Sequence, residues 1–263
     1  MADGNSQSGG AAYVYAVCRG TDAPQLHGVS GMEGWPVRLV HHAELAAIVS
    51  TVDLNEFGED ALRSNLEDLT WLERTARAHH AVVEAAGSMT ATAPLRLATV
   101  YHDDDRVRSL LEEQHGAFTE ALSRVEGRVE WGVKVYADPE TFTTAGTSEL
   151  HDAPTGSGTA YLQRRRTQRH SREEAGRAAM ARAEDIHAAL DEVASASRRH
   201  PPQDQRLTGH SGWMILNGAY LVDHDRADDL QAAVAEFDDG RGLELELTGP
   251  WVPYSFADPE VET

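Results

Sequence analysis

The stretch RVEWGVKVYAD, residues 128–138, decides how the chain is divided. Apolar residues occupy every second position of it: Val129, Trp131, Val133 and Val135. A period of two with β-branched and aromatic side chains is typical of a strand that buries one face. The stretch lies at the midpoint of 263 residues, and the elements predicted after it differ from those before it. We therefore predict that this strand closes an N-terminal domain (13–127) and opens a C-terminal one (128–263).

The charge balance is the most unusual property of the composition. The chain has 43 Asp and Glu residues against 23 Lys and Arg, which gives a formal net charge of −20. Nucleic acids and anionic membranes attract basic surfaces, so this balance argues against both as partners. Among the basic residues Lys134 is the single lysine.

The sequence shows none of the usual signals for export or membrane insertion. Residues 1–12, MADGNSQSGGAA, are predicted to be disordered, and they lack the basic and then apolar pattern of a signal peptide. No apolar run reaches the roughly 18 residues of a membrane span. Cys18 is the only cysteine, so no internal disulfide or thiolate metal cluster can form. We expect a soluble, cytoplasmic protein.

The N-terminal domain is predicted to mix strands and helices. Its clearest element is a helix over 64–86, where Ser64 and Glu67 have the spacing of a capping box. Apolar residues at helical spacing predict its buried face: Leu66, Leu69, Leu72, Ala76 and Val83. The other predicted elements are strands at 13–17, 37–40, 45–51 and 92–101 and a helix that begins at the acidic residues 103–105.

The C-terminal domain is predicted to follow the order β-α-β-β-α-β, which is the ferredoxin-like order. After the strand at 128–138 comes a linker, 144–157, and then a long helix, 158–198. The remaining predicted elements are strands at 204–208 and 212–222, a helix at 225–239 and a strand at 242–248. The predicted fold class is therefore α+β with two domains, the second one ferredoxin-like with an extended helix.

The long helix has two halves of different composition. Forty-one helical residues span roughly 60 Å, whereas a strand of eight residues spans about 26 Å, so the helix cannot lie wholly on the sheet. The second half has an apolar stripe: Ala179, Ala183, Ile186, Leu190 and Val193. The first half, YLQRRRTQRHSREE, is nearly all polar. We predict that the second half packs on the sheet and the first half projects as an arm.

The chemistry-bearing residues do not form a known catalytic pattern. The 13 histidines include no HExxH pair, and the GxSxG, P-loop and GxGxxG motifs are missing from the sequence. We therefore predict no catalytic residue, no cofactor and no metal site. The alternative is a small-molecule enzyme or binding protein that uses a ferredoxin-like sheet, with histidines or Arg96 lining a pocket.

Two segments are candidates for binding a partner. The first is a cluster of arginines in the arm: Arg164, Arg165, Arg166, Arg169 and Arg172. It is either a solvated helix face or a docking surface for an acidic partner, since arginine forms bidentate pairs with carboxylates. The second is the proline-interrupted tail TGPWVPYSFAD, with Trp251, Tyr254 and Phe256. These aromatic side chains either fold back over the core or form an exposed anchor.

Several long blocks of the sequence resemble the gas vesicle protein L/F family. They include LVHHAELAAIVSTV, NLEDLTWLERTARAHHAVVEAA, TAPLRLATVY, EWGVKVYAD and the ending TGPWVPYSF, and they extend from about Tyr13 to Phe256. The resemblance implies two α+β domains, the second a modified ferredoxin-like one. It also implies an accessory role without catalysis, as a chaperone-like factor or minor vesicle component. The implied partners are the main gas vesicle shell protein and other accessory proteins.

Overall fold

The structure is a computed structural model that describes residues 10–138, 158–203, 210, 212–238 and 242–257. The side chains of 158–164 and of Gln168 lie outside this description. The described chain is α+β, as predicted, and it has two antiparallel sheets. It divides into two compact units, Met1–Arg128 with Trp251–Thr263 and Val129–Pro250.

The first unit is built on a sheet of five strands. Its strands are β1 (Gly10–Arg19), β2 (Val37–His42), β3 (Leu45–Asp53), β4 (Thr92–Pro94) and β5 (Val100–Tyr101). Their order is β2-β3-β1-β4, and β5 also pairs with β1. Its helices are α1 (Leu54–Phe57), α2 (Glu59–Asn65), α3 (Leu69–Gly87), α4 (Asp104–Glu113) and α5 (His115–Val125).

Strand β1 lies at the centre of this unit and is buried on both faces. Helices α3 and α5 both pack against it. The prediction that 1–12 are disordered is wrong for residues 10–12, because β1 begins at Gly10 and pairs there with β3. Ala11 and Ala12 are buried by that pairing and packing. Residues 1–9 lie outside the described part.

Helix α3 begins later than predicted, and its buried face is different. Asp68, not Ser64, is the N-cap, and its carboxylate accepts hydrogen bonds from the N–H groups of Thr70 and Trp71. Leu66 and Leu69 are exposed, because the break between α2 and α3 changes the helical phase. The face that α3 buries consists of Trp71, Thr75, His79, Val82, Val83 and Ala86.

The second unit contains four strands and two long helices among its described residues. In its described residues they are β6 (Arg128–Ala137), α6 (Gly158–Val193), β7 (Ala196–Arg199), β8 (Trp213–Asp223), α7 (Ala227–Phe237) and β9 (Leu243–Trp251). The strand order is β7-β8-β6-β9. Strand β6 is the stretch on which the sequence prediction was centred, and its alternating residues Trp131, Val133 and Val135 are buried.

Helix α6 ends five residues earlier than the predicted 158–198. Residues Ala196–Arg199 form β7, which pairs antiparallel with β8. Two side chains of β7 are held by α6: the Ser197 hydroxyl donates to Asp191, and Arg199 forms a two-pronged ion pair with Glu184. The predicted linker 144–157 and the predicted strand 204–208 lie outside the described residues.

The end of the chain belongs to the first unit. The prediction placed all of 128–263 in one domain, but from Trp251 onward the chain is grouped with Met1–Arg128. The short helix α8 (Tyr254–Ala257) contacts α5 and β4. Its apolar side chains are buried there, which explains why the tail leaves the sheet of the second unit.

Candidate interaction surfaces

The arm, residues 158–174 of α6, has no buried side chain among those described. The buried positions of α6 begin at Ala175 and form one helical stripe: Ala175, Ala179, Ala183, Ile186 and Leu190. Arg165, Arg166, Arg169 and Arg172 are all exposed. The side chain of Arg164 lies outside the described part. The helix therefore packs through its second half and leaves the arginines accessible.

The arm is positive within an acidic protein. Residues 158–172 contain five arginines and no aspartate or glutamate. The last two residues of the arm are acidic: Glu173 Oε1 forms an ion pair with Arg169 Nε at 3.0 Å, and Glu174 Oε1 lies 3.2 Å from His170 Nε2. An exposed pair at this spacing contributes little stability, so Glu173 holds Arg169 only weakly.

The tail is part of the folded first unit, which corrects two of its three predicted contact residues. Phe256 is only 4% exposed, and Tyr254 is half-buried. Trp251 remains 43% exposed, with its ring edge-on to His80 at 5.8 Å between centroids. The tail was interpreted either as folding back over the core or as an exposed anchor, and the first interpretation describes Tyr254 and Phe256. Only Trp251 presents a large surface to a partner.

Beneath the tail lies a buried cluster of aromatic and imidazole rings. The Tyr13 hydroxyl is 2.9 Å from His79 Nδ1 and accepts a hydrogen bond from the Ala98 N–H. Since that hydroxyl accepts from Ala98, its own proton is available for His79. Burial lowers the pKa of His79 to about 4, and burial also raises the pKa of Tyr254 above its ordinary value. His79 is therefore a neutral core residue at pH 7.

A second exposed region, at the start of α3, was missed by the sequence prediction. Leu69 is 79% exposed, Leu66 is 45% exposed and Trp35 is 47% exposed. The stripe assigned to a helix over 64–86 had placed both leucines in the core. The signal that could have revealed these exposed leucines is the end of one helix at Asn65, followed by Asp68, a residue type that caps the start of the next helix.

Carboxylates connect Trp35 to the same region. The Glu56 carboxylate accepts hydrogen bonds from Trp71 Nε1 at 2.6 Å and Arg74 Nη2 at 3.1 Å. Trp35 follows the turn Met32–Gly34, which contacts α3, and Glu33 of that turn lies beside Glu56. The neighbouring Glu56 carboxyl raises the pKa of Glu33. We call Trp35, Leu66, Leu69 and the acidic residues of 54–70 the acidic corner.

The rival hypothesis of a His- and Arg-lined pocket gains no support from the described residues. His79 is 3% exposed and therefore inaccessible, and Arg96 lies exposed between β4 and β5. Within the described ranges there is no group of three or more His, Cys, Asp and Glu residues that could hold a metal ion. None of the described helices is long and apolar enough to cross a membrane.

The fold defines the class of protein: α+β, with an antiparallel sheet in each of two units. Residues 11–258 match the family model described as gas vesicle synthesis protein GvpL/GvpF. Gas vesicle protein L of Streptomyces sp. (strain CB03234) is 46% identical over 93% of this chain and 92% of its own length. Gas vesicle protein F of the same organism is 30% identical over 94% and 99%.

The chain belongs to the GvpL/GvpF family, so it is a gas vesicle protein involved in gas vesicle formation. The crystal structure of the gas vesicle protein GvpF from Anabaena sp. PCC7120 has the same fold. Its TM-score is 0.65 at 20% identity, and the alignment covers 94% of this chain and 96% of that one. The resemblance inferred from the sequence blocks is thus confirmed.

Proposed function

We propose that this protein is an accessory factor of gas vesicle assembly that binds other gas vesicle proteins through its arm. The observation that carries the proposal is the arm itself, with Arg165, Arg166, Arg169 and Arg172 all exposed. The family relationship supports partners among the gas vesicle components. The partners that we propose are the main shell protein and other accessory proteins.

The chemistry of arginine supports a role in protein contact. Its planar guanidinium forms two parallel hydrogen bonds to a carboxylate and is more weakly hydrated than an ammonium group, so it loses less on desolvation. Four such groups on one exposed helix would recognise an acidic segment of a partner. The remainder of the chain, with its net negative charge, would keep the complex soluble.

The same features suit a chaperone-like role in the cytoplasm or a place as a minor vesicle component. A small apolar shell protein aggregates through exposed strand edges and apolar faces unless a charged partner holds it. Trp251, which is 43% exposed and lies edge-on to His80 in the first unit, is a second candidate contact. The mechanism requires no cofactor and no catalytic step.

The test is co-expression with the main shell protein, followed by pull-down and measurement of soluble shell protein. The variant changes Arg165, Arg166, Arg169 and Arg172 to Glu. The matched control changes four exposed arginines of the first unit by the same charge: Arg63, Arg77, Arg106 and Arg108. We expect the arm variant to lose the co-eluting partner and the control to keep it. Equal retention by both variants would remove the arm from the proposal.

A further inference from the structure

The acidic corner combines exposed apolar groups with negative charge. Among the described residues, six large apolar side chains are exposed, and three of them belong to this corner. Trp35 belongs to it because the turn Met32–Gly34, directly before Trp35, contacts α3. Leu66 and Leu69 lie on either side of the break between α2 and α3.

The charge of the corner is opposite to that of the arm. Residues 54–70 contain Glu56, Glu59, Asp60, Glu67 and Asp68 against Arg63, which gives five negative charges, one positive charge and a net of −4. The arm, 158–174, has five arginines against Glu173 and Glu174, a net of +3. In the corner Glu59, Asp60 and Glu67 are exposed. The chain therefore carries both halves of a complementary pair.

We propose that the arm of one copy of this chain docks on the acidic corner of a second copy. This inference rests on the proposed role of the arm as a contact element and names its partner as another copy. Arginine suits such a surface, because its guanidinium pairs with carboxylates and stacks on an aromatic ring such as Trp35. The methylene stem of arginine covers apolar groups such as Leu66 and Leu69.

Salt will distinguish this contact from non-specific aggregation. Two copies that each carry a net charge of −20 repel one another at long range, and moderate salt screens that repulsion. At physiological ionic strength the Debye length is about 8 Å, and close arginine–carboxylate pairs persist. Near 1 M salt the Debye length falls to about 3 Å, and these pairs weaken. Self-association should therefore be present at physiological ionic strength and lost at high salt.

The experiment is sedimentation velocity on the full chain over a wide range of concentration. The arm variant changes Arg165, Arg166, Arg169 and Arg172 to Glu, and the corner variant changes Glu59, Asp60 and Glu67 to Arg. Asp68 is left intact because it caps α3. We expect each variant alone to weaken self-association by roughly tenfold or more, and a mixture of the two variants to restore it. Circular dichroism confirms that each variant is folded.

Two results would overturn the inference: a wild-type chain that is monomeric at every concentration, or a mixture of arm and corner variants that stays monomeric. The corner variant keeps the arm, so its pull-down with the shell protein separates this inference from the proposed function. If the wild type is monomeric but its arm still binds the shell protein, the second-copy inference fails and the proposed function stands. If the chain self-associates without binding gas vesicle proteins, the proposed function fails instead.

Discussion

The arm and the tail are both segments that the sequence marks as candidates for binding a partner, yet they have opposite positions in the fold. The tail places Phe256 in the interior of the first unit and half-buries Tyr254. The described arginines of the arm are exposed. Burial of an aromatic ring is favourable by itself, whereas a buried guanidinium needs a paired carboxylate. One segment is therefore part of the folded interior, and the described arginines of the other remain accessible to solvent.

The largest expected effect is on the tail. Phe256→Ala removes a buried aromatic ring and leaves a cavity, so we expect the free energy of unfolding to fall by about 3–5 kcal/mol. Urea unfolding followed by circular dichroism measures the change. Trp251→Ala is the matched control, because its exposed ring should cost about 1 kcal/mol or less. If both substitutions cost the same, the distinction between a structural and an accessible part of the tail is wrong.

A second effect is the acid sensitivity of the cluster beneath the tail. The pKa of His79 is about 4 in the folded protein and 6.5 as its ordinary value. As the pH falls below 6.5, the unfolded chain takes up this proton before the folded one does, so stability is lost between pH 6.5 and 4. The loss should reach about 3 kcal/mol at pH 4.

The control for this pH dependence is His79→Phe, which keeps a ring in the cluster but cannot titrate. The difference between wild type and variant in the free energy of unfolding, measured from pH 7 to pH 4, isolates the contribution of His79. The tyrosines around it, Tyr13, Tyr15 and Tyr254, stay neutral throughout this range, because the ordinary pKa of tyrosine is 10.0 and burial raises the pKa of each further. A constant difference would show that His79 is solvated rather than buried.

The smallest effect belongs to the arm. Arg169→Ala breaks an exposed ion pair with Glu173, so we expect the free energy of unfolding to change by about 0.5 kcal/mol or less. Ile186→Ala, in the buried half of the same helix, should cost about 2–5 kcal/mol. Thermal unfolding of the two variants compares the halves directly. A large loss from Arg169→Ala would mean that the arm is part of the folded core.

The sequence predicted features that depend on local pattern. The alternation in 128–138 correctly predicted β6, and the change of composition along α6 correctly predicted where its burial begins. The predicted end of α6 was wrong. By sequence the four residues Ala196–Arg199 look as helical as α6 itself, and only their pairing with β8 makes them a strand. The prediction that Leu66 and Leu69 are buried was wrong, because α3 begins only after its capping residue Asp68 and its buried face is therefore set from there.

The sequence alone therefore determined the fold class, the family and the chemistry of the arm, since these follow from periodicity, composition and blocks of similar sequence. Only the tertiary structure decided that the tail completes the first unit and that two leucines at the start of α3 are exposed. Both outcomes depend on contacts between residues far apart in the chain. Phe256, for example, lies against α5, whose last residue is more than a hundred positions earlier, and no local pattern encodes that meeting.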